Sequence, residues 1–346
     1  MPTILEAISQ QKNDYSRIEA AFFKKTNTRL VSLEAEIPNL NITQSVSIII
    51  PCYNPAVLPL VLSKISEQLH KDIEVILVDD CSDIIILDLI KDLDLPFHLK
   101  IVRHQINRGR PFSRNTGISL ANGDTVIFLD QDMVVPPDFV SMFAARQYFT
   151  DDCIFVGFRE NINFQIYARN PTEKPKIERD WRFFQPYSEK LKPITLTQNQ
   201  ITPNKAGYRL IAESDFFKDF GQAKQIGYWD LPTMIVSHSF SVKRSALIKV
   251  GGFPELTFKG WGVEDFALGA SLIASGQYVI PVTNCVSYHI NHQRHSGSVD
   301  KEWLEFEKNL QIYKQFVNKN SVDELSFKQR KVKFIKSLNG IDYYEF

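Results

Sequence analysis

The chain has 346 residues, 44% of them hydrophobic and 23% charged, with a formal net charge of zero. That length suits one large α/β domain with insertions, or two small domains. No basic excess points to nucleic acid, so any charged ligand must be handled by a local site.

Residues 1–44 read as an amphipathic helix from about Ile4 to Phe23, then an irregular linker through Pro38. Glu6, Gln10, Lys12 and Asp14 interrupt the apolar positions, which is not the profile of a signal peptide. No stretch reaches the roughly 18 apolar residues of a membrane helix. A cytoplasmic protein is expected, with peripheral docking at the inner face of the membrane left open.

Val46–Ile50 is a buried strand type, stopped by Pro51-Cys52-Tyr53-Asn54-Pro55. Helical spacing runs from Val57 to Leu69. Glu74–Val78 is a second buried strand, ending in Asp79-Asp80. A helix near Ile84–Leu93 and a short strand, Leu99–Val102, follow. Asn107-Arg108-Gly109-Arg110 opens a glycine-containing loop with three arginines that runs into a helix ending at Ile118–Ala121. Such a helix start suits a nucleotide and its diphosphate, although a solvated basic loop has the same composition.

Thr125–Leu129 is a third apolar strand and drives into Asp130-Gln131-Asp132. Alternation along an extended chain would point both aspartates to one side, where they reach a single hard divalent cation. A lone Asp-x-Asp is otherwise just a strand ending in a polar turn. Strands alternating with helices argue for a parallel sheet covered on both faces, with ligands outside the carboxyl ends of its strands. Three strand ends deliver Pro51, Tyr53 and Asn54, then Asp79 and Asp80, then Asp130 and Asp132 to one edge. That edge is the expected site.

Residues 150–235 are less regular. Pro171–Lys176 and 195–204 read as surface loop. The aromatics Trp181, Phe183, Phe184, Tyr187, Phe216, Phe217, Tyr228 and Trp229 mark an insertion where a second substrate could bind. Val242–Val250 looks helical and is broken by Gly251-Gly252-Phe253-Pro254. Lys259-Gly260-Trp261-Gly262-Val263-Glu264-Asp265 sets two glycines and adjacent carboxylates at the start of a helix through Ala274. Those carboxylates could cap the helix, or one could accept a proton from a sugar hydroxyl; the glycines would fit a closing lid. Tyr278–Val282 is a strand. Tyr288–His295 holds His289, His292 and His295, and His289 is preferred over His292 as a metal ligand because it follows the strand. Residues 301–318 form a charged helix, and the basic Lys328–Lys336 stretch reads as a solvated helix face. Cys52, Cys81, Cys153 and Cys285 form no C-x-x-C pair, so buried free thiols are expected rather than a zinc site.

In their order, Ile48–Asn54, Val78-Asp79-Asp80-Cys81-Ser82, Arg114-Asn115-Thr116-Gly117, Leu129–Asp132 and Gly260–Asp265 resemble the inverting family 2 glycosyltransferases of GT-A fold. With the later Tyr-His, they look most like the chondroitin-synthase and galactosyltransferase-like branch. The resemblance covers about residues 45–295. It implies an α/β nucleotide-diphospho-sugar transferase fold, a mostly parallel central sheet flanked by helices. A nucleotide-binding half (45–150) and an acceptor-binding half (151–295) would lie between the N-terminal helical extension (1–44) and a C-terminal helical tail (296–346).

By motif, Tyr53 and Asp80 would hold uracil in a pocket shaped by Pro51 and Asn54, and Arg114 and Asn115 would support the nucleotide. Asp130 would lie near ribose and metal, with Asp132 and His289 as ligands of Mn2+ or Mg2+. Asp265 would be the general base, with Glu264 binding acceptor or donor hydroxyls and Trp261 among the residues that bind the nucleotide-sugar. The implied reaction moves a hexose or N-acetylhexosamine from a UDP-sugar to a glycan, glycolipid or glycoprotein acceptor in surface polysaccharide or glycoconjugate synthesis. Cys81 departs from the family's usual glycine. The absence of Gln-x-x-Arg-Trp speaks against a processive cellulose- or hyaluronan-type synthase. The rival readings are a nucleotidyltransferase, which would carry a glycine-rich loop after the first strand, and an inactive carbohydrate-binding scaffold, which would have lost Asp130, Asp132, Asp265 or His289.

Overall fold

The computed structural model describes residues 1–9, 11–31, 42–163, 178–179, 184–186, 194–197, 200–203, 208–210, 218, 230–291 and 299–346. Two short helices come first, α1 (Ile4–Ser9) and α2 (Ser16–Thr26). The expected single helix is broken because Asn13 leaves it. Its buried amide pairs with both backbone groups of Val279 and fixes the N-terminal segment to the sheet.

Four parallel strands form the centre: β1 (Val46–Cys52), β2 (Ile73–Asp79), β3 (His98–Arg103) and β4 (Thr125–Leu129), in the spatial order β3-β2-β1-β4. Their near-continuous apolar runs are buried on both faces, as crossover helices require. The crossovers are α3 (Leu58–Ser66), α4 (Ile86–Ile90) and α5 (Arg110–Leu120). Gly117 lets α5 lie against β1, since a Cβ there would come within 2.4 Å of Ile49 Cγ2. This close approach is what carries Arg114 to the sheet edge.

The second half continues the sheet with β5 (Met133–Val134), α6 (Phe139–Phe149) and β6 (Cys153–Asn163). The short strands β7 (Glu178–Arg179), β8 (Phe184–Pro186), β9 (Ile194–Thr197), β10 (Gln200–Pro203) and β11 (Tyr208–Leu210) fall in the insertion. β9 and β10 pair antiparallel, so part of the expected 195–204 loop is extended. The remaining candidate aromatics and the 171–176 run lie outside the described residues, or their side chains do.

β12 (Ser239–Lys243), α7 (Arg244–Lys249), α8 (Glu264–Ala274), β13 (Tyr278–Asn291) and α9 (Val299–Lys319) complete this half. The segment expected to be helical from Val242 begins as β12, antiparallel to β4. Its serines, Ser239 and Ser241, are fully buried and gave no apolar signal. The C-terminal segment is not helical throughout. After α9, β14 (Lys333–Leu338) and β15 (Ile341–Glu345) form a hairpin, and β15 extends the central sheet parallel to β3. The tail therefore belongs to the main sheet, and the basic stretch is in part an exposed edge strand.

All four cysteines are free, with Cys52, Cys153 and Cys285 buried; burial pushes the Cys153 thiol up to about 12. Among the described residues no helix is long and apolar enough to cross a membrane.

Candidate active site

The carboxyl ends of β1, β2 and β4 lie side by side, as parallel pairing requires. β1 delivers Pro51 as its next-to-last residue and Tyr53 just beyond its end. Tyr53 is 41% exposed, and its backbone is gripped by Gln131, the middle residue of Asp-x-Asp. The Gln131 side chain accepts from the Tyr53 N–H at 2.7 Å and donates to the Tyr53 carbonyl at 3.0 Å. A side chain with no assigned part in the sequence reading thus joins the first and third strand ends.

Asn54 turns away from the open edge. It sits in the left-handed region (φ 46°) and exchanges hydrogen bonds with Asp83, while its N–H donates to Ser82 Oγ. Asp80 is also directed inward. Its Oδ1 lies 2.8 Å from His104 Nδ1 and accepts from the Arg108 N–H, and its Oδ2 accepts from the Gly109 N–H at 2.7 Å. Oδ1 is thus filled by two partners and Oδ2 by one; they hold the loop before α5, and Oδ2 keeps one acceptor position for a base N–H. Asn115 likewise braces the turn after α7, pairing with both backbone groups of Phe253 and with Glu255.

Arg114 lies at the centre of the site and is only 2% exposed. Its Nη1 donates to Glu264 Oε1 at 2.9 Å and to Asp265 Oδ1 at 3.3 Å, and its Nη2 reaches Asp130 Oδ1 at 3.4 Å. One guanidinium thus ties the β4 end to the start of α8, where nucleotide contact was expected of it. Glu264, nearly buried, faces the same guanidinium. Asp265 also accepts from Ser237, through Oγ at 2.7 Å and through the backbone N–H at 3.2 Å. Burial, and then the adjacent Glu264 charge, raise the Asp265 carboxyl to about 6 against the pull of Arg114 and Ser237. Ser237 precedes β12 with no motif around it, so sequence gave no signal for it.

The two aspartates of Asp-x-Asp do not lie on an extended run. A turn intervenes, with the Met133 N–H donating to the Asp130 carbonyl, and it separates the carboxylates. Asp130 faces Arg114. Asp132 faces His289, with Nε2 and Oδ2 at 3.4 Å. The cause is β13, which pairs with β5 so that His289 stands opposite Met133 and the Ile290 N–H donates to the Asp132 carbonyl. His292 lies outside the described residues. Among the described residues no three His, Cys, Asp or Glu side chains are placed together so as to hold a metal ion. A carboxylate beside an imidazole is nonetheless a donor pair that suits Mn2+ or Mg2+ with its remaining positions left to phosphate oxygens.

Trp261 is half-buried and packs on Phe306 of α9 at 5.8 Å between ring centroids. The flanking glycines do not stand free as lid hinges would. Both lie against α9.

The family model described as Glycosyl transferase family 2 matches residues 47–216. An uncharacterized glycosyltransferase of Bacillus subtilis is 27% identical over 73% of this chain and 67% of its own length. The hyaluronan synthase of Pasteurella multocida is 24% identical over 86% of this chain, which spans only 29% of that protein. Among solved structures, GalNAc-T7 with UDP, GalNAc and Mn2+ is similar at a TM-score of 0.50 and 17% identity, covering 74% of this chain and 45% of that one.

Proposed function

We propose that the chain, which has a GT-A fold and matches the family 2 glycosyltransferase model over residues 47–216, is a glycosyltransferase of that family and moves a hexose or N-acetylhexosamine from a UDP-sugar to a hydroxyl of a glycan acceptor with inversion. The observation that carries this reading is Asp265. It is a part-buried carboxylate, its side chain 13% exposed, with basicity raised towards neutrality, and it is joined through Arg114 to the strand end that bears Asp-x-Asp.

Asp265 takes the proton from the acceptor hydroxyl, and the acceptor oxygen then attacks the anomeric carbon from the face opposite the leaving UDP. Glu264 and Arg114 set the base's orientation and charge. Tyr53 offers a flat face for the uracil, and Gln131 fixes its backbone. Asp80 and Asn115 act one step back, holding the arginine-rich loop and α5 in place. Asp132 and His289 would hold Mn2+ or Mg2+, which when bound neutralises charge developing on the diphosphate. The hyaluronan synthase and the UDP- and Mn2+-bound structure among the similar proteins support a UDP-sugar donor and a polysaccharide or glycoconjugate product.

Thermal unfolding with UDP, GDP, CDP and ADP, each with and without Mn2+, tests the donor. A ligand that binds only the folded state raises its stability by RT ln(1 + [L]/Kd). The expected result is a shift with UDP that requires Mn2+. A shift with another nucleotide would overturn the donor, and no shift with any would overturn the pocket.

A further inference from the structure

The loop before the general base is built in a costly backbone conformation. Gly260, Gly262 and Val263 all have positive φ, at 78°, 85° and 76°. For Val263, a β-branched residue, this is strained, and such strain persists only where surrounding structure imposes it. Glu264 and Asp265 follow at once as the first two residues of α8. Any relaxation at Val263 would swing Asp265 away from Ser237 and Arg114.

The imposing structure is α9. Glu305 Oε2 accepts from the Trp261 N–H at 2.9 Å. The buried Asn309 amide stands 3.1, 3.2 and 3.0 Å from the carbonyls of Lys259, Trp261 and Gly262. The helix lies so close that a Cβ at Gly260 would come within 2.6 Å of Glu305 Oε2, and one at Gly262 within 2.8 Å of Phe306 Cδ2. Positive φ favours glycine at both positions of Gly-Trp-Gly, and at Gly262 the Phe306 ring of α9 also leaves little room for a Cβ.

We propose that Glu305 and Asn309 are positioning residues for sugar transfer, acting from α9 through the 259–263 backbone to hold Asp265 in its proton-accepting place. The proposal rests on the reading of Asp265 as base. Neither residue touches a reacting atom. Glu305 supplies an acceptor and Asn309 a donor, so the chemistry of substitution differs at the two positions. Glu305→Gln keeps a carbonyl for the Trp261 N–H and Glu305→Ala does not. Asn309→Asp keeps the shape but replaces the donor with a charge that repels three carbonyls.

Two measurements on the full chain test this. The first is hydrogen–deuterium exchange of the 259–265 amides, which needs no turnover. Glu305→Ala and Asn309→Asp should each speed exchange there by about tenfold or more, leaving the central strands unchanged, while Glu305→Gln stays near the parent. The second is UDP release from UDP-glucose, UDP-galactose, UDP-N-acetylglucosamine and UDP-N-acetylgalactosamine. The same two variants should lower kcat by about tenfold with donor KM within about twofold, with Glu305→Gln restoring turnover. Unchanged exchange in 259–265, or unchanged kcat in an active parent, would overturn the proposal. Loss of protection across the whole sheet would assign α9 a merely structural role and overturn it too. A parent chain that binds UDP but releases none from any of these four donors points instead to failure of the base reading, which takes this proposal down for a separate and recognisable reason.

Discussion

Arg114 and Asp265 are 151 residues apart in sequence and meet at 3.3 Å in a part-buried site. The same guanidinium touches Glu264 and Asp130, so three carboxylates share one cation. Their combined charge exceeds what Arg114 cancels. The imbalance is largest at Asp265, where burial and Glu264 together favour the protonated form.

Because Asp265 must be ionised to accept a proton, transfer should fall as pH drops through about 6, giving kcat/KM an acid limb near that value. The stability consequence has the opposite sign. A carboxyl raised in the folded state binds its proton more tightly than in the unfolded chain, so its stabilising contribution is present at low pH and lost as pH rises through about 6. Asp265→Asn should therefore abolish transfer while unfolding at no lower a temperature than the parent at pH 7.5, with any advantage shrinking below pH 6. Near-normal turnover would reject Asp265 as base.

Removing the cation should be far more damaging. Arg114→Met leaves Asp130, Glu264 and Asp265 facing one another without compensation, and breaking a buried ion pair in this way costs about 3–5 kcal/mol. Urea unfolding at pH 7.5 should show that loss, partly recovered at pH 5 as the carboxylates take up protons. A variant as stable as the parent at both pH values would mean that Arg114 is not the hub.

The strand ends were legible because buried parallel strands are written as unbroken apolar runs, and such strands bring their carboxyl ends to one edge. Asp130, Asp132, Asp265 and His289 do lie along that edge. The partner each polar side chain chooses was not legible. Asp80, Asn54 and Asn115 sit in motif positions, yet they satisfy backbone N–H and carbonyl groups that the sequence does not display. The Ser239/Ser241 strand and the Lys333–Leu338 edge strand were missed for related reasons. Buried serines carry no hydropathy, and alternating lysines suit a strand edge as well as a helix face.

Gln131 was read only as the spacer between two aspartates. Its amide makes two hydrogen bonds to the Tyr53 backbone, each worth about 0.5–1.5 kcal/mol net. Gln131→Ala should weaken UDP binding by roughly tenfold in calorimetry with little change in unfolding temperature, and Gln131→Glu, which keeps only the acceptor, should fall between. Unaltered UDP affinity in Gln131→Ala would show that Tyr53 does not depend on this clamp.

Cys81 adopts φ 65°, a left-handed conformation that costs an L-residue about 1–2 kcal/mol and glycine almost nothing. Its side chain returns little, with Sγ 3.4 Å from the Gln105 carbonyl. Cys81→Gly should therefore stabilise the chain by about 1 kcal/mol, net of the greater unfolded-state freedom of glycine, with turnover unchanged. A destabilised variant would mean that the Sγ contact outweighs the backbone strain.

His289 owes its place to β-pairing, standing opposite Met133 while the next N–H fixes Asp132. If this pair holds the cation, loss of either donor must weaken metal-assisted nucleotide binding, and outer partners of metal sites already change affinity by about 10–100-fold. At a ligand concentration near 100 times Kd the parent gains about 2.7 kcal/mol, and a tenfold weaker variant retains about half of that. Asp132→Ala should lose the Mn2+-dependent part of the UDP thermal shift, and His289→Ala should keep at most half of it. His292→Ala should match the parent. A full shift in His289→Ala with loss in His292→Ala would exchange the two imidazoles, and a full shift in Asp132→Ala would remove this pair as the metal site.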